Sequence, residues 1–145
     1  MSALVDDAVT IRTASAADVD GVLAVWEVAR STAADQADGR EDVLALLERS
    51  PDGLLVAENE GRLVGTLVAV WDGWRGSMAR LAVLPEHRRR GIAQKLVDAG
   101  HERLRAAGAK RVNVLIADTD AGAADLWVGL GYEYQPWIKR YKRDL

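Results

Sequence analysis

Three consecutive arginines, Arg88, Arg89 and Arg90, stand between an apolar run that ends at Pro85 and a glycine, Gly91, from which a helical pattern sets out. The full stretch reads Leu81-Ala82-Val83-Leu84-Pro85-Glu86-His87-Arg88-Arg89-Arg90-Gly91-Ile92-Ala93-Gln94-Lys95-Leu96. The first turn of any helix presents backbone N–H groups without intrahelical partners, and the aligned peptide dipoles place partial positive charge there. Together these attract phosphate. Gly91 lets the entering turn tighten and puts no side chain in the way of an anion, and Ala93 keeps the first turn open. The guanidinium groups add full charges to the dipoles. The chemistry predicted at this turn is pyrophosphate binding. Other phosphate motifs fit worse: there is no G-x-x-x-x-G-K-S/T loop. Gly91-Ile92-Ala93 also lacks the third glycine of a dinucleotide fingerprint and lies far from the first strand. For the arginine triplet alone, a solvated basic turn is the plainer reading.

Groups able to move protons or hold a metal are sparse. The chain has no cysteine, which excludes disulfides, a thiol nucleophile and thiolate metal ligands. Its two histidines, His87 and His101, are too few and too separated for a histidine-based zinc site, so no metal is expected. His87 reads as a surface residue. His101 shares a helix face with Val97 and Leu104 and reads as hydrogen-bonded and partly buried. Glu27, Asp35 and Asp38 lie in or after the first helix, where they either attract a cationic amine or form a solvated loop. Trp127 stands at helical spacing from Ala123, Ala124 and Leu130 and reads as a packing residue. Trp71 and Trp74 flank a turn and suit a rim or a dimer patch.

The elements that must position these residues follow from periodicity and punctuation. Val9 to Arg12 alternates as a first strand. Ser15 and Asp18 offer capping groups ahead of a helix from Val19 to Arg30, with Val22, Val25, Trp26 and Ala29 on one face. A second helix is expected from Glu41 to Glu48, before Pro51. Leu54 to Ala57 and Leu63 to Trp71 form a hairpin with Gly61 in its turn, and Met78 to Leu84 a further strand. Ile92, Leu96, Val97, Gly100 and Leu104 mark an amphipathic helix closed by Gly108. Val112 to Ile116 is a short buried strand, Gly122 to Leu130 a short helix, and Tyr132 to Gln135 with Ile138 to Lys142 a final pair of strands around Pro136. Lys139 to Arg143 is basic, as suits an edge strand that resists unwanted pairing. The order β-α-α-β-β-β-α-β-α-β-β implies an α/β fold with a mixed sheet and helices on its faces.

At 145 residues the chain is long enough for one substantial core. Hydrophobic residues make up 49% and charged residues 28%, an ordinary globular composition. A net charge of −3 gives no reason to expect nucleic acid as a partner, and no aromatics interleave the arginines. Met1 to Val9 carries acids and no basic region, and no apolar run approaches the roughly 20 residues that span a bilayer. A cytoplasmic location and no membrane partner are expected.

Leu81-Ala82-Val83, Pro85 and Arg88-Arg89-Arg90-Gly91-Ile92-Ala93 resemble the central signature of the GNAT family of N-acetyltransferases: Arg or Gln, two residues, Gly, one residue, then Gly or Ala, after a strand. Ile11-Arg12 with Asp18 resembles the family's opening strand and first helix, and Gly65 falls where the family often has glycine in its third strand. Asp120 to Tyr132 resembles the segment N-x-x-A-x-x-L-Y-x-x-x-G-F/Y. The likeness covers nearly the whole chain and implies a single domain over residues 1–145, α/β, with a mixed, partly splayed β-sheet flanked by helices.

The resemblance further implies acetyl-CoA as co-substrate and an amine as acceptor, acylated by direct attack. Leu81, Ala82 and Val83 would offer backbone groups to the pantetheine arm, and the Val83 or Leu81 N–H would polarise the thioester carbonyl. The N–H groups of Arg89, Arg90, Gly91, Ile92, Ala93 and Gln94 would hold the pyrophosphate, with the side chains of Arg88, Arg89 and Arg90 outside. Asp120 and Trp127 would border the cofactor, and Trp26 and Trp137 the acceptor pocket. Homodimers are common among similar proteins. The pattern breaks at the proton-transfer groups. Trp127 stands where many relatives have a tyrosine acid, Asp120 replaces an asparagine, and Ala79 and Ser77 occupy positions where relatives carry a base. Ser77 and Glu27 are the remaining side-chain candidates, with a water relay to Glu27, Asp72 or Asp118 in reserve. Either positioning suffices, since a thiol of pKa about 8.5 leaves without much help, or the chain is an acyl-CoA-binding sensor or partner module of the same fold.

Overall fold

The computed structural model describes residues 8–29, 38–116 and 121–145. Backbone contacts divide the chain into two units, Met1–Leu115 and Ile116–Leu145. In the first, five strands form one sheet in the order β1 (Val9–Thr13), β2 (Leu54–Asn59), β3 (Arg62–Trp71), β4 (Gly76–Val83) and β5 (Val112–Val114). Helices α1 (Val19–Ala29) and α2 (Arg40–Arg49) separate β1 from β2, and α3 (Ile92–Ala107) separates β4 from β5. Neighbouring strands are antiparallel except β4 and β5, which run parallel, as the crossover through α3 requires. The sheet is mixed, as expected.

The central strands are covered on both faces, which is why their sequences are continuously apolar rather than alternating. Leu54 to Ala57 of β2 and Val64, Leu67, Val68 and Ala69 of β3 are all buried. Successive residues of a strand point to opposite faces. Thr66 meets Trp26 of α1, whereas a Cβ on Gly65 would meet Leu96 and Ile92 of α3, so α1 and α3 cover opposite sides of the sheet. Each presents a stripe at helical spacing: Val19, Val22, Val25 and Trp26 from α1, and Ile92, Leu96, Val97, Gly100 and Leu104 from α3. α3 stops at Gly108, where the Ala109 N–H donates to the Leu104 carbonyl (2.8 Å), a closing bond of the Schellman type.

One polar cluster fixes β1. Arg12 donates to both carboxylate oxygens of Asp18 (2.8 and 2.9 Å) and to Glu58 of β2 (2.8 Å), and Asp18 also accepts from the Ser15 N–H (2.8 Å). The Arg12 hydrogen bonds hold the Asp18 carboxyl down to about 2, against the opposing effect of burial. Among the described residues no helix is long and apolar enough to cross a membrane, and no three His, Cys, Asp or Glu side chains gather to hold a metal ion.

The second unit holds α4 (Ala121–Gly129). Trp127 is its buried residue and meets Tyr132 edge-on, with ring centroids 4.9 Å apart and planes at 81°. Burial pushes the Tyr132 phenol up to about 12. The expected closing pair of strands is absent among the described residues: 132–145 carries no ladder, and the Ile138 N–H turns back to the Gln135 carbonyl (3.2 Å) around Pro136. A β-rich sequence becomes a strand only when its amides find a neighbour, and proline withholds one of them. β5 likewise ends at Val114 rather than Ile116, leaving Leu115 exposed.

Candidate functional site

β4 is paired along its whole length by β3 but only along Gly76–Met78 by β5. Among the described residues no strand pairs with its second edge beyond Met78, and that edge is open to an added strand. Which amides face that edge follows from the ladder. The Leu84 N–H donates to the Val64 carbonyl (2.9 Å), so Leu84 bonds toward β3. By the alternation of an antiparallel pair, Val83 and Leu81 then direct their N–H and C=O groups the other way, onto the open edge. The Val83 carbonyl accepts from Arg88 Nε (3.0 Å).

This phase depends on an irregularity. Thr66 lies opposite Ala82 and Val68 opposite Ala79, so two residues of β4, Arg80 and Leu81, stand against the single Leu67 of β3. That is a β-bulge, and its first residue, Arg80, has φ of +56°. With the register unbroken, Val83 would fall opposite Val64 and lose its amide to β3.

The chain then makes a short turn, Pro85–His87, and curls into α3. Arg89 has φ of +64° and Gly91, the N-cap, φ of +76°, a left-handed conformation that favours glycine. No side chain caps the helix, and its first internal bond runs from the Lys95 N–H to the Gly91 carbonyl (3.0 Å). The amides of Ile92, Ala93 and Gln94 precede that bond and point out of the helix start. Arg88, Arg89, Arg90 and Gly91 are exposed around them. Outward amides on β4 and an uncapped helix start thus lie in one continuous stretch, Leu81 to Gln94.

On the α1 face, Trp26 Nε1 donates to Thr66 Oγ1 (2.9 Å), and Thr66 Oγ1 donates to the Arg80 carbonyl (2.8 Å). The Arg80 guanidinium sits 4.9 Å from the centre of the Trp26 ring and pairs with Asp38 at 2.5 Å. Thr66 and Arg80 were not singled out from sequence. The available signal was that Thr66 is the one polar residue in the run Leu63 to Trp71. Trp26, expected as a pocket wall, is a core residue with its indole committed.

Ser77, Glu27 and Asp72 fall outside that stretch. Ser77 is six residues upstream of Val83, roughly 20 Å along the strand, and lines a cleft of about 640 Å³ with Asp42, Arg49, Trp71 and Arg75. Glu27 is exposed on α1. The Asp72 carboxylate accepts from the Trp74 and Arg75 amides (2.7 and 2.6 Å) in the β3–β4 turn. Trp127 and Trp137 belong to the second unit, the latter 67% exposed. Asp120, Asp118 and Asp35 lie outside the described residues.

The sequence matches the model of the acetyltransferase (GNAT) family over residues 22–132. An acetyltransferase of Yersinia enterocolitica is 31% identical over 133 residues, covering 92% of this chain and 94% of that one. Among solved structures, Ard1 from Thermoplasma volcanium has a TM-score of 0.78 at 22% identity, over 88% of this chain and 84% of that one. The PaiA N-acetyltransferase from Thermoplasma acidophilum, solved in complex with coenzyme A, has a TM-score of 0.77 at 15% identity, over 88% and 91%. At such identities the structural likenesses establish the fold.

Proposed function

This chain belongs to the acetyltransferase (GNAT) family and is an N-acetyltransferase, and we propose that it takes acetyl-CoA along the open edge of β4 and passes the acetyl group directly to an amine. The pantetheine arm bonds to the backbone of Leu81 and Val83 as an added strand would, whereas Ala82, expected from sequence to join them, lies opposite Thr66 and turns its amide to β3. The pyrophosphate rests on the amides from Arg89 to Gln94, where dipole and guanidinium charge favour an anion. The acceptor nitrogen uses its lone pair to attack the thioester carbonyl carbon. The Val83 N–H donates to the oxygen as negative charge develops on it. The C–S bond then breaks, the thiolate of CoA leaves with the electron pair, and the ammonium proton passes to water.

Little acid help is needed, because a thiolate with a conjugate-acid pKa of about 8.5 is a competent leaving group. Trp127 cannot supply a proton in any case, since its indole N–H only donates hydrogen bonds. The rate therefore rests on positioning. The observation that carries this reading is the continuity of the outward Val83 amide with the uncapped start of α3.

The test is calorimetric titration with acetyl-CoA, followed by thiol release over a panel of amines. Saturable uptake, with thiol released in step with acetylated amine, is the expected result. No uptake overturns the proposal. Uptake without release on any acceptor would leave a binding module in place of an enzyme.

A further inference from the structure

We infer that Thr66 is a positioning residue for acetyl transfer, acting through the bulge in β4. The inference rests on the reading of Val83 as the donor to the thioester oxygen. Thr66 is fully buried, yet both roles of its hydroxyl are filled: it accepts from Trp26 Nε1 and donates to the Arg80 carbonyl. Arg80 is the bulge residue, with φ of +56°, a conformation an L-residue keeps only when its surroundings impose it. Here they hold it at both ends. Thr66 holds its carbonyl, and the Trp26 ring with the Asp38 carboxylate holds its side chain. The same indole therefore supports the backbone clamp through its N–H and flanks the guanidinium with its ring.

The consequence is registered three residues later. One extra residue in β4 reverses the sense in which each later amide points. Val83 faces the open edge only because the bulge precedes it; without the bulge its N–H would bond to Val64. The Thr66 hydroxyl touches no reacting atom, but it selects which of two registers the strand adopts.

Thr66→Val keeps the shape and removes the hydroxyl, whereas Thr66→Ser keeps the hydroxyl and removes a methyl. The expected result for Thr66→Val is a kcat lower by about 100–1000-fold, the range for loss of one oxyanion donor. The dissociation constant for CoA should rise by less than kcat falls, because the separate turn at Gly91 keeps its hold on the pyrophosphate. Thr66→Ser should recover most of the rate. Hydrogen exchange reads the register without any turnover: the Val83 amide should exchange fast in the parent and slowly in Thr66→Val, once Val64 takes it up. A valine variant with unchanged kcat and unchanged Val83 exchange overturns the inference, as does a serine variant as slow as the valine one. A parent that takes up no acetyl-CoA would instead sink the reading beneath it, and the exchange comparison would still decide whether Thr66 sets the register.

Discussion

Arg89 sits at φ of +64° in the turn before α3, a conformation that costs an L-residue about 1–2 kcal/mol. Glycine would adopt it freely, at the expense of a more flexible unfolded chain. Arg89→Gly should therefore raise stability by about 0.5–1 kcal/mol in urea unfolding while weakening CoA binding about three- to tenfold, because a phosphate-directed charge is gone. Affinity equal to the parent's would mean that this guanidinium does not reach the phosphates. Arg90→Ala, without the strain, should lose similar affinity at constant stability. A different side chain governs acid tolerance. The Asp18 carboxyl is held near 2 when folded, below its usual 3.8, chiefly by Arg12. A depressed pKa stabilises the fold above the unfolded value and ceases to do so as pH falls through the folded one. Because Arg12 is 36% exposed, the contribution is discounted to about 1–2 kcal/mol. Asp18→Asn should be less stable than the parent by that amount at pH 7, and the gap should close as pH falls from about 4 to 2. A gap that persists at pH 2 would assign the loss to packing.

The elements depend on one another through close approaches of a kind that composition hides. A Cβ on Gly65 would lie 3.2 Å from the Ala82 carbonyl and 3.2 to 3.3 Å from Leu96 and Ile92. Glycine there lets α3 lie tightly on β3 beside the strand that carries Val83. Gly65→Ala should cost about 1–3 kcal/mol and weaken CoA binding, since relief must shift either β4 or the start of α3. Unchanged unfolding midpoint and affinity would show that the layers have room to give. Much of this architecture is legible from local signals. Gly91 and Gly108 bracket α3, Gly61 marks the hairpin, and the arginine turn announces an anion site. The bulge was not legible, because arginine is no signal for a positive φ and the residues that hold it, Trp26 and Thr66, are 40 apart in sequence. The last two strands were misread for the complementary reason: Tyr132 to Lys142 has strand-like residues, but alternation says nothing of whether a partner edge is available.

At the scale of the whole chain, the question is whether 116–145 can stand apart from the rest. Segments below about 40 residues seldom hold a core without disulfides, metals or partners. This chain has no cysteine, and its described residues gather no metal-binding cluster. Among the described residues of that unit, Trp127 is the only buried hydrophobic. We therefore expect the chain to behave as one domain, with a single calorimetric transition whose measured and van't Hoff enthalpies agree. A ligand that binds only the folded state raises stability by about 2.7 kcal/mol at a hundredfold excess over its dissociation constant. For a chain of this size that is a rise in Tm of about 5–10 °C. Acetyl-CoA should move the whole transition by that amount, because a cooperative unit shares the stabilisation of any site within it. If 116–145 melted on its own, scanning calorimetry would resolve a minor low-temperature event that the ligand leaves in place while the main transition climbs, and the single-domain view would fall.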